Sequence, residues 1–288
     1  MLGLIDTIVQ GVLLGGLYAL YATGLSVIFG IMRLVNLAHG DVIVLGAFLV
    51  LVLSAAGINI IAAAAIVAPI MFLVGYGLQS LLLNRALGRD VLPPLLITFG
   101  LSIILQNALL ELFSADSRRL HVGALDSASL ALGGGIAIGI MPLIGFLTAI
   151  AVIVVLNLLV FRTALGRAFR ATSDDAEAAQ LMGIDNRSMY AIAMGIAFFI
   201  CALAGIFLGV RANFDPSIGP ARLIYAFEAV IIGGLGSLWG TLAGGIVVGV
   251  AQTIGAWINP ESQILAGHVA FLGVLVIRPR GLFPRAGD

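Results

Sequence analysis

The sequence predicts an all-α fold, a polytopic transmembrane helical bundle, and three observations predict it. The mean hydropathy is +1.18. Hydrophobic residues fill 61% of the 288 positions and charged residues 10%, a balance that a water-soluble fold of this size cannot hide. Apolar runs close to the roughly 20 residues that a helix needs to cross a bilayer follow one another along the chain, which points to helices and away from a barrel of alternating strands.

Seven runs read as spans, at 8–31, 34–56, 58–83, 91–113, 136–161, 189–210 and 264–277. Two more lie between 224 and 257: a short glycine-broken segment, FEAVIIGGLGSLWG, and TLAGGIVVGVAQTIGAW, which is long enough to cross. Whether 224–236 crosses or re-enters stays open at this point. Residues 1–288 read as one transmembrane domain with a polar loop at 162–188.

Orientation follows from arginine, because positive residues accumulate in cytoplasmic loops. Placing Arg33, Arg85, Arg89, Arg162, Arg167, Arg170, Arg187, Arg278, Arg280 and Arg285 inside leaves Arg118, Arg119, Arg211 and Arg222 outside. That arrangement predicts an external N-terminus, a cytoplasmic C-terminus and a cytoplasmic 162–188 loop. Asp6 precedes the first apolar run and no basic segment opens the chain, so no cleavable signal peptide is expected.

What is missing narrows the chemistry. All 14 basic residues are arginine, so the chain can carry neither a Walker A lysine nor a Schiff-base lysine. Cys201 is the single cysteine and cannot form an intrachain disulfide; as a small residue in an apolar run it reads as core. There is no HExxH, no GxSxG and no cysteine or histidine cluster, which ranks a membrane enzyme last. No metal site or cofactor is expected on the chain, and nothing in it points to nucleic acid.

The loop contains RATSDDAEAAQLMGID at 170–185. Asp174 and Glu177 have capping-box spacing, Thr172 and Ser173 are alternative caps, and Gly183 supplies a stop, so a helix of about nine residues is predicted. Ala176, Ala179 and Gly183 give it a small-residue face, with Leu181, Met182 and Ile184 for apolar contact. A docking helix and a solvated connector both fit that spacing.

Within the spans, Asn36, His39 and Asp41 interrupt an apolar run beside Gly40. Polar groups in hydrocarbon are costly, so these should face protein or a wet path. One reading is a discontinuous helix edging a translocation route; the other is bracing, with Asn36 and His39 bonded to neighbouring helices and Asp41 as an N-cap. Glu228 either pairs with Arg222 or lines the route. Glu111 reads as a snorkelling residue near a span end, His268 as a hydrogen-bonded packing residue and His121 as part of a polar loop. The pairs Gly15/Gly16, Gly233/Gly234 and Gly244/Gly245 mark expected helix crossings. The breaks at NLAHGD and GGLGSLWG suggest two related halves around one route.

LVNLAHGDVIVLGAF at 34–48, RTALGRAFRATSDDAEAAQLMGI at 162–184 and FEAVIIGGLGSLWGTLAGGIVVG at 227–249 together resemble the permeases of branched-chain amino acid ABC transporters, in the family's order and over nearly the whole chain. Its compact length is similar to the shorter H-type subunit. Glu177, Ala178, Ala179 and Gly183 resemble the loop by which such permeases dock on their ATPases. The resemblance implies an importer in a bacterial inner membrane, built from two permeases (the second a longer M-type chain), two cytoplasmic ATPases that carry the ATP and Mg, and an external binding protein that delivers leucine, isoleucine or valine. Relatives for urea, short amides or other amino acids share the motifs. A secondary carrier ranks second, because only Asp41 and Glu228 could serve as an intramembrane acidic relay.

Overall fold

The computed structural model describes residues 2–86, 92–133 and 136–283; Arg89 and Arg285, used above for orientation, lie outside them. Helix α1 (Leu2–Met32) is followed by α2 (His39–Ala55), α3 (Ile60–Leu78), a π turn over Gln79–Leu83, the short α4 (Asn84–Ala86) and α5 (Leu92–Phe113). A hairpin of β1 (Ser129–Gly133) and β2 (Ile136–Gly139) precedes α6 (Ile140–Arg162). Then come α7 (Ala164–Asp174), α8 (Ala176–Leu181), α9 (Asn186–Arg211), α10 (Gly219–Gly233), α11 (Leu238–Ile258) and α12 (Gln263–Ile277). Among the described residues seven helices are long and apolar enough to cross a membrane, α3 counted with its π turn and α4 (Ile60–Ala86) and α12 with the 3-10 turn before it (Pro260–Ile277), and the chain is a polytopic helical membrane protein.

Helix α1 is the axis of the bundle, almost wholly buried among α6, α9, α10 and α11. Lipid offers no hydrophobic drive between helices, so close packing depends on small residues. A Cβ on Gly15 would strike the backbone of Ile246, and one on Gly245 would strike that of Gly15 and Ala19. The two glycines thus remove the same steric bulk from both sides of the α1–α11 crossing. Gly233 meets Gly240 in the same way. Gly234 acts through its backbone instead, turning the chain from α10 into α11 at φ 103°.

One expected span and the segment left open at 224–236 form helices shorter than these seven. Helix α2 has 17 residues and begins only at His39; the stretch 33–38 is not helical, and Arg33 leaves α1 at φ 51°. Helix α10 has 15 residues and begins at Gly219, five residues before the expected segment, with Pro220 in its first turn. Proline suits that position because its missing N–H would be unpaired there anyway. GGLGSLWG is therefore the turn between two helices and does not break a span. The non-helical stretch that leads into α10 lies upstream, at 212–218.

The ends of the bundle are fixed by a few bonds. At one end, Ser173 Oγ donates to Gly30 O at 2.9 Å, Asn84 Nδ2 donates to Arg187 O at 3.2 Å, and Leu282 N donates to Ile232 O at 2.8 Å. This is the loop end. At the opposite, hairpin end, Gln10 Nε2 donates to Ala137 O at 2.8 Å, and Arg118 and Phe214 exchange backbone bonds of 2.8 and 2.9 Å. Residues 2 and 283 accordingly lie at opposite ends.

Candidate functional site

Helices α2 and α10 both begin inside the bundle. His39, the first residue of α2, places Nε2 at 2.8 Å from Tyr21 O, and Tyr21 lies 11 residues before the end of α1, about 16 Å along its axis. The 33–38 stretch therefore climbs back from the loop end before α2 starts. Helix α10 starts beside it: a Cβ on Gly40 would collide with Gly219 O, and one on Gly219 would collide with the Asp41 carboxylate. The 212–218 stretch reaches that point from the hairpin end. The two N-termini meet back to back, and their helices run to opposite ends of the bundle.

This geometry explains the residue types. Asn36 makes the turn into α2: its Oδ1 accepts from Ala38 N at 3.0 Å, and its Nδ2 lies 3.9 Å from Met194 Sδ. Gly40 supplies close approach to α10 instead of a bend. Asp41 is the third residue of α2, inside its first turn, and is not its N-cap, a position that Ala38 occupies. Its Oδ2 accepts from Ser102 Oγ at 2.5 Å, and Gln106 Nε2 donates to that hydroxyl at 3.1 Å. Its Oδ1 has no hydrogen-bond partner among the described residues. Helix N-termini carry partial positive charge, and here one buried carboxyl group stands where two of them converge. Asn36, His39 and Asp41 are all fully or almost fully buried. Cys201 packs beside them, with Sγ 3.6 Å from His39 Nδ1.

A second polar seam joins α1, α10, α11 and α12. Glu228 is buried and bonds to His268 Nδ1, not to Arg222. Arg222 lies over the Tyr225 ring, 5.8 Å from its centroid. Tyr225 stacks on Tyr18 at 4.9 Å, and Tyr18 Oη donates to Gln252 Oε1 at 2.6 Å. Glu228 Oε2, Arg222 Nε, Gln252 Nε2 and Tyr21 Oη are buried with no partner among the described residues. Such groups are rare in a closed interior, because each costs about 1–3 kcal/mol. Sequence reasoning named Glu228, Arg222 and His268 from this seam but missed Tyr18 and Gln252, as it missed Ser102 and Gln106 beside Asp41. The signal existed: Gln252 stands alone in an apolar span, and Ser102 and Gln106 are four residues apart on one helical face.

At the loop end the polar stretch forms two helices. Helix α7 ends at Asp174, and Asp175 caps α8, accepting from Glu177 N at 3.0 Å and Ala178 N at 2.9 Å. The expected cap, Asp174, is displaced because the chain becomes extended at Asp175 and divides the segment. Gly183, at φ 86°, closes α8 with a Schellman motif: Ile184 N donates to Ala179 O and Gly183 N to Gln180 O, both at 3.0 Å. Glu177, Ala178 and Gly183 are exposed, whereas Ala179 is turned inward at 4% exposure. Leu181 and Met182 stand 88% and 84% exposed, so the apolar pair points outward while Ala179, the centre of the small-residue face, does not. The loop is tied to the bundle by Ser173, by Asn186 Nδ2 donating to Ala176 O at 2.6 Å, and by Thr172 Oγ1 donating to Asn186 Oδ1 at 3.1 Å. Among the described residues no group of His, Cys, Asp and Glu could hold a metal ion.

Among the described residues, seven helices able to cross, two half-helices meeting inside and a polar loop at one end define the class, a polytopic membrane bundle built around an internal discontinuity. A family profile described as "Branched-chain amino acid transport system / permease component" matches residues 7–277, and the chain belongs to that family. It is 30% identical to the high-affinity branched-chain amino acid transport system permease protein BraD of Pseudomonas aeruginosa, over 98% of this chain and 96% of that one. It is 29% identical to the corresponding permease LivH of Escherichia coli K12, over 96% and 94% of the two chains. With LivM of the same strain it shares 27% identity over 49% of this chain and 33% of that one.

Proposed function

We propose that the chain is a permease subunit of an ATP-driven importer for branched-chain amino acids, working with a second permease, cytoplasmic ATPase subunits that carry ATP and Mg, and an external binding protein. The observation that carries the reading is the match to BraD and LivH over nearly the whole length of each; the partial likeness to LivM supports a different chain as the second permease. The expected setting is a bacterial inner membrane, with the loop end cytoplasmic and residue 2 outside. Leu181 and Met182, with Glu177, Ala178 and Gly183, form the ATPase-facing surface of α8. The seam around Arg222 and Glu228, with its unpaired polar atoms, and the α2–α10 junction of Asn36, His39, Gly40 and Asp41 are where the route opens.

The test is reconstitution of both permeases with the ATPase subunits in vesicles. Uptake of leucine, isoleucine or valine should require internal ATP and the external binding protein. Uptake by this chain alone, driven by an ion gradient, would instead identify a secondary carrier.

A further inference from the structure

A cavity of about 270 Å³ opens at the loop end between α1, α6, α7 and the start of α11. Its walls are mainly apolar, with buried Phe169 closing one side. Deep within it, Ser26 is 1% exposed and its hydroxyl has no partner among the described residues. At the rim, the Arg170 guanidinium bonds to Val160 O and lies over the Phe161 ring, 5.3 Å from its centroid. Trp239 stands exposed across the mouth. Among the described residues, neither Arg170 nor the neighbouring Arg162 and Arg167 has a carboxylate partner.

We propose that this cavity holds an acyl chain of a bilayer phospholipid whose anionic headgroup sits on Arg170. Water is a poor occupant, because a buried water needs two to four polar partners and these walls offer few. The mouth has the composition of a membrane interface, an arginine and a tryptophan on either side of an apolar slot. Val155 and Leu158 on α6 are exposed beside it, giving an apolar approach from the bilayer. Basic pockets between membrane helices suit anionic lipid headgroups, and the guanidinium fork matches phosphate oxygens. Arg170 is held in place by Val160 O and the Phe161 ring, so little freedom is lost when a headgroup binds. The bound lipid would bridge α7 to α1, α6 and α11.

The test uses the intact complex purified from membranes and exchanged into nanodiscs of phosphatidylcholine with an increasing share of phosphatidylglycerol, with retained lipid counted by native mass spectrometry. Wild type should keep phosphatidylglycerol in preference to phosphatidylcholine, and millimolar inorganic phosphate should not displace it. Arg170→Gln should lower retention roughly fivefold, and Arg170→Lys should restore part of it. Ser26→Leu, which fills the inner end without touching charge, should also lower retention; Arg170→Gln decides the matter if that variant does not fold. Equal retention of the two lipids by wild type, or unchanged retention in Arg170→Gln, would overturn the proposal. So would a photo-cross-linker at Trp239 that traps a partner subunit instead of lipid.

Discussion

Asp41→Asn is the sharpest probe of the α2–α10 junction, because it keeps the shape of the side chain and changes only its charge and donors. A carboxylate in a partly buried position at a helix N-terminus contributes up to about 2 kcal/mol, and Asp41 faces two such ends. Its bond from Ser102 Oγ, 2.5 Å long, is of the charge-assisted kind, worth about 1 kcal/mol more than a neutral one. The substitution also puts an amide N–H₂ beside Gly219, the first residue of α10, where the free backbone groups are themselves donors. Together these effects predict a loss of about 3 kcal/mol. The purified complex should melt several degrees lower, and Ser102→Ala, which leaves the carboxylate and its place at the two helix ends but removes its charge-assisted bond, should cost about 1.5–3 kcal/mol. Melting curves in one detergent, alongside vesicle uptake, make the comparison. If Asp41→Asn melts with the wild type, the carboxyl group is held neutral and the helix-dipole account of this junction is wrong.

Leu181→Glu with Met182→Glu should reduce co-purified ATPase about tenfold or more, since burying one such side chain is worth about 1.5–3 kcal/mol; membrane insertion should be unchanged, and a normal ATPase yield would reject the docking surface. Gly183→Val should cost about 1–2 kcal/mol at a left-handed position and uncouple ATP hydrolysis from uptake, which paired ATPase and uptake assays would show. In a Cys201→Ala background, a cysteine at Ser117 should react with an impermeant reagent from outside and one at Gln180 only after permeabilisation; labelling of both from one side would overturn the orientation. Gly245→Leu should fail to accumulate folded protein, as judged by gel filtration in detergent, because its Cβ would meet the α1 backbone with no room to yield.

The crossing helices were legible because length and hydropathy suffice to mark them: α1, α9 and α11 lie close to where the apolar runs predicted. The half-helices were not, since hydropathy does not record depth. An apolar run that begins mid-bundle looks like one that begins at the surface, and residues 34–38 are nearly as apolar as the helix that follows. The second break was misplaced for a related reason. GGLGSLWG announces itself by composition, whereas 212–218 reads as an ordinary loop until Gly219 is seen against Asp41. In the polar loop, Asp174 and Asp175 are both competent caps, and only the extended backbone at Asp175 chooses between them. Glu228 was found by its charge. Its partner was not, because Arg222 is six residues away in sequence and His268 forty.

The converging half-helices explain how a loop-end movement could reach the interior under the proposed function. A continuous helix through this point would carry motion along its own axis and would keep its backbone paired. Two helices that end against each other instead share a joint held by few bonds: the Asp41–Ser102–Gln106 chain, the close contact of Gly40 with Gly219, and His39 on Tyr21 O. From the loop end, Ser173 bonds to α1 and Asn186 ties α8 to the first residue of α9, and these are the helices that flank His39 through Tyr21 and Cys201. Displacement of α8 would therefore load the joint before it loads the well-packed glycine crossing of α1 with α11. Under the proposed function, a bundle that must open without unfolding should yield first at this joint, between the loop and the seam.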